Sequence, residues 1–335
     1  MSARVRIGVI GAGGLGIHHV RILRDMLGPD FAGFYESRAD RAQHVATELG
    51  VRAHPTLDSL LDEVDAVTIV VPTPSHYDVA KHALSRGIHA MIEKPLAATL
   101  EEADEMLRLA RERGAILQTG HVERFNRAIR AALPYVEVPR FIESDRLSPF
   151  NPRGSDVAVV LDLMIHDIDL VHTLVGGKAS SVAAVGVPVL TPFVDIANAR
   201  LTFDSGAVAN ITASRVSRER MRKIRIFQHS GYISLDLAAG NGEFYRLREG
   251  LDLASMSAGP IALEQFVERI PLEAEDGEPL RLEFESFLAA VRGEAPIAVT
   301  GEEGRDALAV ALQIVSDIER TMPALAGRSS LGARA

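Results

Sequence analysis

Val5-Arg6-Ile7-Gly8-Val9-Ile10-Gly11-Ala12-Gly13-Gly14-Leu15-Gly16 is the stretch that decides the fold. A short apolar strand runs straight into a GxGxxG turn. An acid, Glu36, follows twenty residues past Gly16, at the end of a second apolar run, Phe31 to Tyr35. In a dinucleotide-binding βαβ unit each part has a task. Gly11 permits the tight turn out of the strand, Gly13 lets backbone approach a pyrophosphate, and Gly16 lets the helix pack closely on the sheet. The pyrophosphate sits on N–H groups at the helix N-terminus, where the helix dipole favours negative charge. The cofactor cradle is therefore expected at Gly11, Ala12, Gly13, Gly14, Leu15 and Gly16. Glu36 is placed to accept hydrogen bonds from the ribose hydroxyls of the adenosine half. A GxGxxG alone is weak evidence; strand, glycines, helix and a correctly spaced acid together are strong.

Working outward, residues 1–122 alternate short apolar runs with amphipathic helical patterns, as parallel strands and crossover helices do. The strands are expected at Val5–Ile10, Phe31–Glu36, Ala66–Val71, Ile88–Ile92 and Ile116–Thr119. Helical spacing covers Leu15–Leu27, Ala39–Leu49, Tyr77–Ser85 and Leu100–Arg113. This predicts a doubly wound parallel sheet of the Rossmann type. After about Pro149 the pattern changes to a helix over Ser155–Val175 and then strands without intervening helices: Ser181–Leu190, Asp195–Phe203, Ala207–Ser214, Lys223–His229 and Tyr232–Leu237. Asp204-Ser205-Gly206 and Ser230-Gly231 are hairpin turns between them. The second domain, 123–322, is thus expected to be α/β with an open, largely antiparallel sheet. One face packs on helices and the other is free for a partner subunit, in a homodimer or homotetramer. Helices at Leu282–Val291 and Glu302–Thr321 close the chain, and 323–335 reads as a flexible tail.

Composition bounds the function. The 335 residues are 47% hydrophobic and 24% charged, as in a soluble globular protein, and leave room for two domains of ordinary size. A net charge of −9 offers no general field for phosphate backbone, so no nucleic-acid partner is expected. With no cysteine in the chain, disulfides, thiolate metal sites and cysteine nucleophiles are excluded. No apolar stretch approaches the ~20 residues needed to span a bilayer, and a cytoplasmic location without membrane partners is the expectation.

Several residues could carry chemistry. Pro72 and Pro74 break the chain after Ala66–Val71, placing Thr73, Ser75 and His76 at the carboxyl edge of the sheet, where such sheets bind ligands. Glu93-Lys94-Pro95 ends the next strand at the same edge. Pro95 keeps Lys94 out of the helical region, so its ammonium is set to donate to a substrate hydroxyl or to the cofactor, unless it is a plain surface lysine. Asp162 and His166 are four residues apart and would share a helical face, with Asp169 one turn further on. Three readings stay open for them: a proton-exchanging histidine oriented by a carboxylate, an ordinary polar pair, or metal ligands, with no metal the favoured expectation. In Gly120-His121-Val122-Glu123-Arg124-Phe125-Asn126, joining the two domains, Arg124 and Asn126 either contact cofactor or substrate or brace the following helix; His121 could serve either role. Arg215, Arg218, Arg220, Arg222, Lys223 and Arg225 stand against a single acid, Glu219. They receive an anionic group such as a diphosphate, or form a solvated or paired face.

Taken in order, the glycine fingerprint, Pro72-Thr73-Pro74 with His76, Glu93-Lys94-Pro95 and the Asp162/His166 pair resemble the glucose–fructose oxidoreductase/inositol dehydrogenase (Gfo/Idh/MocA) family. The resemblance extends to about residue 322. It implies a Rossmann domain followed by an open-sheet domain often used in oligomerisation, and oxidation or reduction of a sugar or cyclitol hydroxyl with NAD(P). It implies Lys94 as the residue that orients the reacting hydroxyl and His166 as acid/base, assisted by Asp162. Cofactor contacts would come from the glycine turn, Glu36, Ser37, Arg38, Pro72, Thr73, His76, Glu93 and Lys94. Substrate contacts would come from His121, Arg124, Asn126, His166 and Arg222. Gly120–Asn126, Met164-Ile165-His166-Asp167 and Arg220–Phe227 look most like enzymes that oxidise C3 of UDP-N-acetylglucosamine before 3-amination. Arg127 departs from the proline found after Asn126 in many relatives. Glu36 favours NAD by repelling a 2′-phosphate, whereas Ser37 and Arg38 leave NADP open. The competing expectations are a dehydrogenase of inositol, a free sugar or a sugar acid on the same fold, and a non-catalytic regulator that senses nicotinamide and sugar.

Overall fold

A computed structural model describes residues 4–152, 154, 157–248 and 266–321. The chain divides into two compact units, Met1–Pro134 with Leu272–Ala309 and Tyr135–Pro271 with Val310–Ala335.

The first unit opens with β1 (Ile7–Ile10), α1 (Gly16–Leu27), β2 (Phe31–Tyr35), α2 (Ala39–Leu49), a short α3 (Leu57–Leu61), β3 (Ala66–Ile69), α4 (His76–Leu84), β4 (His89–Glu93), α5 (Leu100–Arg113), β5 (Leu117–Gly120) and α6 (Arg127–Ala132). The five strands pair in the order β2-β1-β3-β4-β5, all parallel. Strands β1, β3 and β5 are buried at every position, as a parallel sheet covered on both faces requires. Local signals fix the helix ends. Thr99 and Glu102 form a capping box at the start of α5, and Gly114 closes it in the left-handed conformation.

The second unit contains β6 (Phe141–Leu147), α7 (Ile165–Val175), β7 (Ala179–Val187), β8 (Ile196–Phe203), β9 (Val208–Ser214), β10 (Met221–Gln228), β11 (Gly231–Asp236), β12 (Asn241–Leu247) and β13 (Val267–Leu272). These strands form one sheet, ordered β13-β12-β11-β10-β6-β9-β8-β7, with β6 and β9 a parallel pair and the pairs β12–β11, β11–β10, β10–β6, β9–β8 and β8–β7 antiparallel. Burial alternates along β6 and β8, so a single face is covered. The open face carries a row of stacked rings, Phe141, Phe227, Tyr232 and Tyr245, with centroids 5.0 to 5.7 Å apart.

The fold class is therefore as expected, with three strands, β6, β12 and β13, beyond those read from the sequence. The helix expected over Ser155–Val175 is corrected. Ser155 lies outside the described residues, and Val160–Met164 forms a π-helical turn before α7 begins. The tail from Pro323 also lies outside them. Two late helices complete the described residues, α8 (Pro279–Val291) and α9 (Gly301–Thr321), and the division between the units falls inside α9. Phe284, Phe287 and Leu288 of α8 are buried in one core with Ile7, Val9, Val20 and Leu23. No helix among the described residues is long and apolar enough to cross a membrane.

Candidate active site

The glycine turn is shaped for close approach. Gly11 has φ +92°, and a Cβ there would come within 2.5 Å of the Val70 carbonyl oxygen, so only glycine is unstrained. A Cβ on Gly16 would run into the Gly11 carbonyl, whereas one on Gly13 would meet nothing within 4 Å. The backbone at Gly13 is thus open to a ligand. Helix α1 has no side-chain cap and no acid in its first turn. Its Ile17 and His18 N–H groups bond the Gly13 and Leu15 carbonyls, so an anion would be met by the N–H groups of the glycine turn ahead of them. Glu36 closes the cradle. Its Oε2 accepts the Ala12 N–H at 3.0 Å and its Oε1 accepts from the Arg38 backbone N–H and Nε at 3.2 Å. Burial pushes its carboxyl up, but the Arg38 side chain and these two N–H groups more than offset that, holding it below the ordinary glutamate value. Arg41, unnoticed in the sequence, donates to the carbonyls of Ala12 at 2.8 Å and Gly13 at 3.2 Å. The donor set and the open turn fit a dinucleotide.

At the carboxyl ends of β3 and β4 the predicted residues separate into two kinds. Pro72 is exposed and Thr73 half-buried in a single 3-10 turn before α4. His76 is buried, with Nδ1 2.9 Å from the Pro95 carbonyl and Nε2 2.9 Å from that of Val71. Its ring braces the Lys94-Pro95 segment from inside. Glu93 likewise turns inward and is 8% exposed. Lys94 is half-buried.

The segment after β5 makes bonds within the first unit. Arg124 donates to Glu303 Oε1 at 2.8 Å and to the Ala298 carbonyl at 3.2 Å. Asn126 Oδ1 accepts the Ala128 N–H at 3.0 Å, capping α6, and its Nδ2 donates to Glu123. These bonds brace the segment and cap α6. His121 is buried. Arg127 makes its own anchor, donating to the Ala274 carbonyl and pairing with Asp276.

In the second unit Asp162 lies in the π-helical turn and His166 in the first turn of α7. Wide i→i+5 turns of this kind recur at functional sites. The Asp162 carboxylate packs where Gly154 has no side chain: a Cβ on Gly154 would come within 2.6 Å of Asp162 Oδ2. Arg215 holds that segment, donating to the carbonyls of Gly154 at 2.6 Å and Val157 at 2.7 Å while its Nε binds Asp195 at 2.8 Å. Next to His166, Asp167 is buried against Arg146 Nε at 2.6 Å and Ser144 Oγ at 3.0 Å, both on β6.

The basic cluster disperses. Arg215 is buried in its pair with Asp195, and Arg225 pairs with Glu143 on the open face. Arg222 stands directly opposite Arg146. Opposed residues of an antiparallel pair share a face, so Arg222 sits on the α7 side of the sheet.

Comparison with known proteins agrees with this architecture. A model of the Gfo/Idh/MocA oxidoreductase family with an NAD-binding Rossmann fold matches residues 5–121, and one of the family's C-terminal domain matches residues 130–234. The chain belongs to the Gfo/Idh/MocA family. It is 39% identical over 94% of its length to UDP-N-acetylglucosamine 3-dehydrogenase of Acidithiobacillus ferrooxidans, covering 97% of that protein. A solved structure of that enzyme superposes with a TM-score of 0.86, covering 94% of this chain and 98% of the other. Myo-inositol 2-dehydrogenase of Thermotoga maritima is 27% identical over 91% of this chain and 93% of its own. As a member of this family the chain is an oxidoreductase of the dehydrogenase type that uses a nicotinamide cofactor.

Proposed function

We propose that this protein oxidises the C3 hydroxyl of UDP-N-acetylglucosamine, or of a closely related nucleotide sugar, to the 3-keto sugar with NAD. The observation that carries the reading is the 39% identity, over 94% of this chain, to a UDP-N-acetylglucosamine 3-dehydrogenase. Arg222 on the α7 side of the sheet supports an anionic substrate, because a guanidinium there suits a diphosphate. Glu36 supports NAD: a carboxylate repels a 2′-phosphate, and the nearby cations Arg38 and Arg41 already bind Glu36 and the glycine turn. A second copy of the chain covering the open sheet face, in a homodimer or homotetramer, belongs to the same reading.

The nicotinamide, when bound on the glycine turn, supplies the acceptor for the hydride leaving the sugar carbon. Lys94 donates a hydrogen bond to the reacting hydroxyl and stabilises the negative charge that grows on its oxygen. His166 accepts the hydroxyl proton, and Asp162 stabilises the imidazolium so formed. Substrate contacts from His121 are part of this reading. Two measurements test it. Reduction of NAD and NADP is followed with UDP-N-acetylglucosamine, free N-acetylglucosamine and myo-inositol. Turnover of the nucleotide sugar with kcat/KM at least about tenfold higher for NAD is expected; turnover of free sugar or inositol in its place overturns the substrate assignment. Gly154→Ala is expected to lower kcat by about tenfold or more by displacing the Asp162 carboxylate. A parental kcat in that variant, with its circular dichroism unchanged, would count against the role of Asp162.

A further inference from the structure

Behind Lys94 the first unit buries a carboxylate and a histidine that the reaction above does not use. Glu93 Oε2 accepts the Lys94 backbone N–H at 3.3 Å. Its Oε1 lies 3.2 Å from Nε2 of His19, a fully buried residue of α1, though out of line for an ideal hydrogen bond. The other ring nitrogen of His19, Nδ1, is 3.0 Å from Thr68 Oγ1 on β3. Phe284 of α8 meets the His19 ring edge-on, with centroids 5.1 Å apart and planes at 78°. On β5, Gly120 leaves the space the carboxylate occupies: a Cβ there would sit 3.1 Å from Glu93 Oε1. Elements α1, β3, β5 and α8 all shape the surroundings of one charge.

Such an arrangement is costly if its purpose is only to fill space. A buried ion loses hydration worth several kcal/mol, whereas an apolar side chain of similar volume incurs no such loss. Burial pushes the Glu93 carboxyl up, yet His19, the Lys94 charge and the Lys94 N–H offset this and keep it below the ordinary glutamate value. The group is therefore a retained anion one residue from Lys94.

We propose that Glu93 and His19 are positioning residues for Lys94: the carboxylate, aligned by His19 and Thr68, fixes the backbone from which the lysine side chain projects. The inference rests on the reading of Lys94 given above. An orientational role predicts loss in the chemical step, because a displacement of about 1 Å can cost on the order of a hundredfold in rate. Glu93→Gln keeps the shape and removes the charge. With UDP-N-acetylglucosamine and NAD, its kcat is expected to fall by about ten- to a hundredfold. Its KM and its affinity for NADH are expected to stay within about threefold of the parent. The primary isotope effect on kcat, with substrate deuterated at C3, should rise as hydride transfer becomes limiting. His19→Gln places an N–H near the position of Nε2 and should retain more of kcat than His19→Ala; a purely structural role would move the melting temperature but not the isotope effect.

Parental kcat and isotope effect in both Glu93→Gln and His19→Ala, alongside an inactive Lys94→Ala, overturn the inference and leave the reading of Lys94 intact. A fully active Lys94→Ala overturns that reading instead. Should Glu93→Gln not fold, the contrast between His19→Gln and His19→Ala decides by the same criteria.

Discussion

Lys94→Ala is expected to lower kcat by about a hundred- to a thousandfold, the range lost when one donor to a developing oxyanion is removed. The affinity for NADH should change by no more than about threefold, because the glycine turn and Glu36 are untouched. Only contacts stronger in the transition state than in the ground state raise kcat. On the proposed reading the Lys94 ammonium makes such a contact, since negative charge grows on the hydroxyl oxygen as its proton leaves for His166. Removing it leaves cofactor and substrate able to bind but without a donor where charge develops. Steady-state kinetics beside NADH titration separates the two effects. Equal losses in kcat and in NADH affinity would make Lys94 a cofactor-binding residue in place of one acting in the reaction.

The features legible in the sequence share one property: they are local. Gly11 to Gly16 and Glu36 announce the cradle because glycine spacing, an apolar strand and an acid at fixed distance suffice to define it. The capping box at Thr99 and Glu102 is equally local. What stayed hidden depends on partners distant in the chain. Strand β6, Phe141–Leu147, alternates as a half-buried strand should, but its inward positions include Ser144 and Arg146. Hydrophobic patterning looks for apolar side chains there and finds an arginine, because the partner that makes the arginine tolerable, Asp167, is 21 residues away. Nothing in residues 279–291 says that Phe284 and Phe287 join the core around β1 and α1. An apolar helix face states that it is covered, not by what.

The direction of side chains at the sheet edge was hidden for a related reason. Glu93 and Lys94 are neighbours at the end of a strand, and successive side chains of a strand point to opposite faces. In a sheet covered on both sides neither face is marked by polarity, so the sequence could not tell which of the two turns inward. His19 and Thr68 decide the matter for Glu93, and His76 with the carbonyls of Val71 and Pro95 does the same for the turn beside it. Arg215 was legible only as one of six neighbouring bases. Its burial against Asp195 and the Gly154 carbonyl removes it from the anion-binding candidates.

The largest expected effect on stability comes from Asp167, the residue after His166. Its carboxylate accepts from Arg146 Nε at 2.6 Å and Nη2 at 3.2 Å and from Ser144 Oγ at 3.0 Å, and both ionic side chains are almost wholly buried. Removing one partner of such a pair leaves the other charged and dehydrated, at a cost of about 3–5 kcal/mol. Asp167→Ala is therefore expected to weaken the docking of α7 on β6. Because the chain has two units, a single unfolding free energy is ill-defined, and hydrogen exchange of the α7 amides is the better measure. Their exchange should accelerate by about a hundredfold or more, which corresponds to the lower end of that cost. A double variant, Arg146→Met with Asp167→Leu, replaces the pair by apolar side chains of similar size and should recover much of the lost protection. If the double variant also regains turnover, the pair serves to hold His166 in place by anchoring its helix. If protection returns but turnover does not, the charges beside His166 contribute to the reaction directly. Exchange rates in Asp167→Ala within about fivefold of the parent would show that α7 is held by its apolar contacts alone.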